Sequence, residues 1–195
     1  MKISRRFTAI VGAAAALALP AASQAQVSYY TTGVFSNNTN TTSSGGMTVT
    51  FNGNGTLGTP VVSGTPSNIS FGDFVTSGSA TTNANFADTF TLNVFQTSPT
   101  TGSGMFVGSF AGTLSSIGSQ TYWNPANPTI FNISNSTYSL TNFTPGVGYS
   151  IVAPNNNGGK TTIQGFVSTP EPSSMALLGT GLVGLVPMIR RKKQK

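Results

Sequence analysis

Phe86-Ala87-Asp88-Thr89-Phe90-Thr91-Leu92-Asn93-Val94-Phe95-Gln96 is the stretch that decides the fold. Phe86, Asp88, Phe90, Leu92 and Val94 share one parity, and Thr89, Thr91 and Asn93 share the other. Side chains alternate across a strand, so this period of two predicts a strand with one apolar face. Thr97 to Gly104 supplies turn residues, and Met105 to Leu114 returns with Phe106 and Phe110 on one face and Met105 and Val107 on the other. Apolar on both faces, the return strand is expected inside a sandwich, and the two segments form a predicted central hairpin.

The same reading extends outward. Upstream, Val27 to Tyr30 is a short apolar start, and Asn37 to Gly46 is a polar tract expected to be a loop. Met47-Thr48-Val49-Thr50-Phe51 alternates strictly and predicts a half-buried strand. Asn52-Gly53-Asn54-Gly55 predicts a hairpin turn, with Leu57 to Val62 as the return strand, demoted towards an edge by Pro60. After a turn at Gly64 to Ser67, Ile69 and Phe71 share one face of a strand ending near Val75, and Thr76 to Asn85 is a second polar loop.

Downstream, Ser115 to Pro128 is expected to be a long connection. Short strands are predicted at Thr129 to Ile133, Tyr138 to Phe143, Gly146 to Val152 and Thr161 to Val167. About nine or ten short strands, with no helical pattern between the two ends, predict an all-β fold: an antiparallel β-sandwich or jelly roll. A β-solenoid is the alternative, and the absence of a repeat of constant length counts against it.

Charge is confined to the ends. The chain carries a formal +6, but eight of its nine cations are Lys2, Arg5, Arg6 and those from Arg190 to Lys195. Between Gln26 and Thr169 the charges are Asp73, Asp88 and Lys160. That region has no basic patch, so nucleic acid is not an expected partner. Its near-neutral, Asn-, Ser-, Thr- and Gly-rich surface suits self-association and contact with neutral glycans. There is no Cys and no His. A domain this long buries a core without disulfides. The composition excludes the usual zinc, copper and haem sites and the Ser-His-Asp and Cys-His nucleophiles. No cofactor and no catalytic residue are expected.

Both ends read as targeting segments. Lys2, Arg5 and Arg6 precede an apolar run from Phe7 to Leu19 that Pro20 breaks, and Ser23-Gln24-Ala25 places small residues at −3 and −1. This predicts a signal peptide over 1–25, cleaved after Ala25, and entry into the general secretion machinery. At the other end Pro170-Glu171-Pro172 precedes an apolar run of 15 residues from Met175 to Ile189. As a helix that run covers roughly 22 Å, against about 30 Å of hydrocarbon, and snorkelling cations extend its reach. A transmembrane helix is expected over about 173–189. The cations Arg190, Arg191, Lys192, Lys193 and Lys195 then form a cytoplasmic stop. Gly179, Gly181, Gly184 and Pro187 make that helix weak, as suits a segment that is removed.

Pro-Glu-Pro, a glycine-rich span and a terminal basic cluster, in that order, resemble the PEP-CTERM sorting signal of Gram-negative bacteria. The same kind of tail also goes under the label "ice-binding protein, C-terminal". The resemblance covers 169–195 and implies recognition by an exosortase, a membrane protease-transpeptidase that cuts near the motif. It also implies an association with exopolysaccharide and biofilm. The region between the ends, expected as one ectodomain over 26–168, resembles choice-of-anchor β-sandwich ectodomains through Asn68-Ile69-Ser70-Phe71-Gly72-Asp73-Phe74; no functional residue carries over from it.

Candidate chemistry is sparse. Asp73 and Asp88 meet the minimum of two carboxyls for glycoside hydrolysis or supply part of a calcium site. Their plainer roles are an Asp in a turn and one within a strand. Lys160 and Asp88 are the parts of an adhesin-type amide crosslink, or Lys160 is a solvated turn residue. Tyr122 and Trp123, flanked by prolines, are the expected glycan contact, the alternative being that Trp123 caps the core. Seven Asn-x-Ser/Thr sites, Asn68-Ile69-Ser70 and Asn142-Phe143-Thr144 among them, are about the number chance supplies in so Asn-rich a chain. Thr48, Thr50, Thr89, Thr91, Thr161 and Thr162 have no common period, so an ice-binding threonine array is not expected. The sequence therefore predicts an exported, non-enzymatic matrix protein, structural or adhesive, with a carbohydrate-binding module as the alternative and a secreted hydrolase as a third, less favoured reading.

Overall fold

The structure, a computed structural model, describes residues 26–55, 59–62 and 67–169. Expectations that lie outside these residues are the signal peptide with Ser23 and Ala25, the Pro170-Glu171-Pro172 motif, the span over about 173–189 and the basic end from Arg190 to Lys195. Among the described residues no helix is long and apolar enough to cross a membrane.

Among the described residues there are twelve strands: β1 (Gln26–Phe35), β2 (Thr41–Ser44), β3 (Met47–Gly53), β4 (Thr59–Val62), β5 (Ser67–Gly78), β6 (Ala84–Ser98), β7 (Gly102–Leu114), β8 (Tyr122–Pro125), β9 (Ile130–Ile133), β10 (Ser136–Thr141), β11 (Tyr149–Ser150) and β12 (Lys160–Ser168). They form two antiparallel sheets, β11-β8-β7-β6-β1-β4 and β2-β3-β5-β12-β10-β9. The apolar parities of the two sheets face each other, which makes a sandwich.

The central hairpin is where the alternation puts it. β6 and β7 pair from Ala84↔Leu114 to Gln96↔Gly102 and occupy the middle of the first sheet. Phe86, Phe90, Leu92 and Val94 are buried, as are Phe106 and Phe110. Phe90 is the hub of the core. Its ring lies 4.7 Å from that of Phe74, 4.9 Å from Phe35, 5.0 Å from Phe51 and 5.4 Å from Trp123. Gly33 makes that crowding possible, since a Cβ there would run into the rings of Phe90 and Phe51. The second face of β7 departs from expectation. Met105 is 60% exposed and Val107 is 39% exposed, so this central strand is covered on one face.

Three local expectations are corrected. The polar tract at 37–46 contains a strand, β2, because Thr41 and Ser43 pair with Thr50 and Thr48 through both backbone and hydroxyls (3.2 and 3.0 Å). Asn52-Gly53-Asn54-Gly55 does not close a β3–β4 hairpin. Asn54 instead exchanges bonds with Thr31 of β1 and donates from its amide to Ser70 O at 2.7 Å. The chain is thereby led across to the first sheet, where β4 pairs with β1 at the edge and Pro60 lies opposite Ser28. The connection at 115–128 contains β8, whose short alternation buries Trp123 and Pro125.

Candidate functional site

A cleft of about 310 Å³ opens on the outer side of the second sheet, lined by Asn68, Ile69, Ser70, Asn142 and Gln164. Its floor is a bulge. Ile163 pairs with Gly72 and Gln164 with Ser70, so Phe71 is the extra residue on β5. Gly72, at φ +124°, supplies a backbone conformation that L side chains rarely adopt. Next to Ser70, Phe71 turns into the core.

The walls are fixed from behind. Ser70 O accepts from the Tyr29 hydroxyl at 2.8 Å as well as from Asn54. The Tyr149 hydroxyl lies 2.6 Å from Thr141 O and 2.7 Å from Gln164 O, joining the end of β10, just before Asn142, to β12 at Gln164. Burial pushes the phenols of Tyr29 and Tyr149 above their ordinary range, so they stay protonated and donate. Asn142, at φ +58° in the turn after β10, donates from its side-chain amide to Gln164 Oε1. No charged group lines the cleft.

The acids do not meet. Asp88, on β6 of the first sheet, accepts the N–H groups of Ser36 (3.1 Å) and Thr89 (2.7 Å). Partial burial raises its pKa, but bonds from the Ser36 side chain, the Thr89 and Ser36 backbone and Thr42 outweigh that and hold it below the ordinary value. Asp73, on β5 of the second sheet, takes Lys160 Nζ at 2.9 Å and the Thr162 hydroxyl at 2.5 Å. Neither a two-carboxyl site nor a Lys160–Asp88 crosslink is assembled. Among the described residues no three metal-ligating side chains cluster.

Tyr122 and Trp123 are successive residues of β8 and point to opposite faces, so they do not form one platform. Trp123 has no exposed surface, stacks on Tyr149 at 5.6 Å and caps the aromatic core. Tyr122 is half-buried. The expectation of an exposed stacking ring at Trp123 is therefore corrected. Asn68, Ser70 and Asn142 stand in stretches that the sequence already singled out, two Asn-x-Ser/Thr sites and the ectodomain resemblance, but no sequence signal joined them to one another or to Gln164. Asn68 and Ser70 on β5, Asn142 after β10 and Gln164 on β12 come from three distant segments and meet because β12 lies between β5 and β10. The threonines likewise divide, Thr48, Thr50 and Thr162 on the second sheet and Thr89 and Thr91 on the first.

β12 ends at Ser168, and that is where a family match begins. The PEP-CTERM protein-sorting motif matches residues 168–193. The chain carries that motif. No curated protein and no solved structure matches the chain. A PEP-CTERM tail indicates an exported protein sorted by an exosortase, a membrane protein, with transient membrane anchoring before surface release.

Proposed function

We propose that the protein is a non-catalytic component of an extracellular matrix, structural or adhesive, in contact with exopolysaccharide. In this reading the general secretion machinery exports it, the signal peptide is cleaved after Ala25, and an exosortase processes it near Pro170-Glu171-Pro172. The observation that carries the reading is the pairing of a PEP-CTERM motif with a sandwich whose charged side chains are only Asp73, Asp88 and Lys160, two of them paired with each other. Solubility then rests on hydroxyls and carboxamides, groups that also meet polysaccharide on equal terms.

The test is fractionation of the producing cell with intact-mass analysis. The expected product lies in the surface or matrix fraction, begins at residue 26 and ends near the Pro-Glu-Pro motif. Loss of the exosortase leaves it membrane-bound with its tail. A full-length cytosolic chain bearing both Met1 and Lys195 overturns the reading. The non-catalytic part is checked with an Asp73→Asn, Asp88→Asn double variant, which should leave matrix phenotype unchanged.

The second reading, a carbohydrate-binding module, is favoured by the uncharged cleft on the second sheet.

A further inference from the structure

Four hydrogen-bonding side chains without charge converge on the cleft: Asn68, Ser70, Asn142 and Gln164. A carboxamide offers two donors and an acceptor with two lone pairs. The bond between Asn142 and Gln164 uses one position on each, so both retain donor and acceptor capacity towards the opening. Such groups suit a vicinal diol, whose hydroxyls donate and accept together. The nearest charges along β5 and β12, Asp73 and Lys160, neutralise each other at 2.9 Å. An acidic or basic ligand therefore finds no complementary charge.

Phe166 supplies the apolar half of a sugar site. It shares the outer face of β12 with Gln164, lies in register with Asn68 and is half-buried. A pyranose ring presents hydroxyls at its edge and C–H groups on its faces. An aromatic beside a set of amides matches both. The cleft, at about 310 Å³, holds a small unit rather than a long oligomer.

The walls are also pre-organised. Main-chain carbonyls of Ser70, Thr141 and Gln164 each accept a bond from a buried tyrosine. Rigid walls lower the ordering cost of binding.

From this geometry we propose that the cleft binds a neutral saccharide unit of a polysaccharide through Asn68, Ser70, Asn142 and Gln164, with Phe166 against a ring face. The inference rests on the carbohydrate reading above and gives it a location. It replaces Trp123, which is buried, with residues on the opposite sheet.

The experiment is isothermal calorimetry on the full-length protein in detergent. The panel is neutral tetrasaccharides of glucose, mannose and galactose, with a tetrasaccharide of uronic acids as the charged counterpart. At least one neutral member should bind and the uronic acid should not. Gln164→Ala should weaken binding about tenfold, and the Asn68→Ala, Gln164→Ala double variant should abolish it with the melting temperature unchanged. Asn68 and Gln164 are exposed, so neither change threatens the fold. Phe166→Leu, which keeps bulk but removes the aromatic face, should weaken binding as well. The proposal is overturned if no neutral member binds, if the uronic acid binds best, or if the double variant binds as the parent does. The double variant is also fractionated. Surface delivery without binding defects would sink the cleft and leave the matrix reading intact, whereas retention of the parent protein in the cytosol would sink the matrix reading instead.

Discussion

The Tyr138 hydroxyl donates to Gln96 Oε1 at 2.8 Å, across the core from β10 of one sheet to β6 of the other. Gln96 is 2% exposed and sits at the end of the apolar parity of β6, where an unpaired carboxamide would be costly. Its amide nitrogen donates to Thr100 O at 2.9 Å, so the side chain is satisfied at both ends. The bond fixes how the two sheets register against each other at that end.

Tyr138→Phe tests this bond. The ring keeps its stacked contact with Phe131 at 5.5 Å, but Gln96 Oε1 is left buried and unpaired. The expected loss is about 1–3 kcal/mol, read as a fall in melting temperature of roughly 3–10 °C. A change within error would show that the bond contributes nothing net.

Trp123 is the chain's single tryptophan and has no exposed surface. Its fluorescence should be blue-shifted and resistant to iodide until the protein unfolds. Trp123→Ala should cost about 3–5 kcal/mol, since it empties a site packed by Phe74, Phe90 and Tyr149. Denaturant titration gives the number. A variant of parental stability would contradict the buried position.

Burial pushes Tyr29, Tyr138 and Tyr149 above the ordinary phenol value of 10.0. For an acid raised in the folded state, the stability is fully present below the unfolded value and is lost as pH rises through the folded one. These three phenols should therefore ionise together with alkaline unfolding, above pH 10. Tyrosinate absorbance followed alongside circular dichroism checks it. Full ionisation with the fold intact would refute it.

Asp88 behaves in the opposite sense. Its folded pKa lies below the ordinary 3.8, so its contribution is present above the unfolded value and disappears as pH falls through the folded one. Asp88→Asn should lower stability at neutral pH, where that contribution is present, and parent and variant should converge as pH falls below about 4. Melting curves from pH 2 to 7 on parent and variant measure the difference.

Lys160 and Asp73 form a pair at the surface, with the lysine side chain 55% and the aspartate 23% accessible. Surface pairs contribute about 0–1 kcal/mol, so Lys160→Met should shift stability by less than that. The pair should remain ionic rather than covalent. Intact mass of the folded protein should show no loss of water or ammonia; either loss would establish an amide crosslink.

The fold was legible where burial imposes a period. Phe86 to Val94 and Met47 to Phe51 alternate because one face of each strand meets a core, and both strands lie as the alternation requires. β2 was not legible, because its four residues are Thr and Ser and their pairing depends on β3 lying alongside. β4 was misassigned because Asn-Gly favours a hairpin locally, while the competing bonds from Asn54 to Thr31 and Ser70 are tertiary. Trp123 and Pro125 do alternate with Tyr122 and Asn124, but four residues containing a proline do not distinguish a strand from a loop. The cleft is the least legible feature. Asn68 opens a stretch that the sequence singled out, but nothing ties it to Gln164 until the order β5-β12-β10 brings them together.

β12, whose end the sorting motif adjoins, is an interior strand. It is bonded to β5 along one side and β10 along the other, with eight and five residue pairings respectively. Traction arriving from the tail side along that strand strains both ladders in parallel rather than peeling them one bond at a time. While the tail still tethers the protein to its membrane, tugging on the ectodomain would thus be met by the second sheet at its most firmly sutured seam.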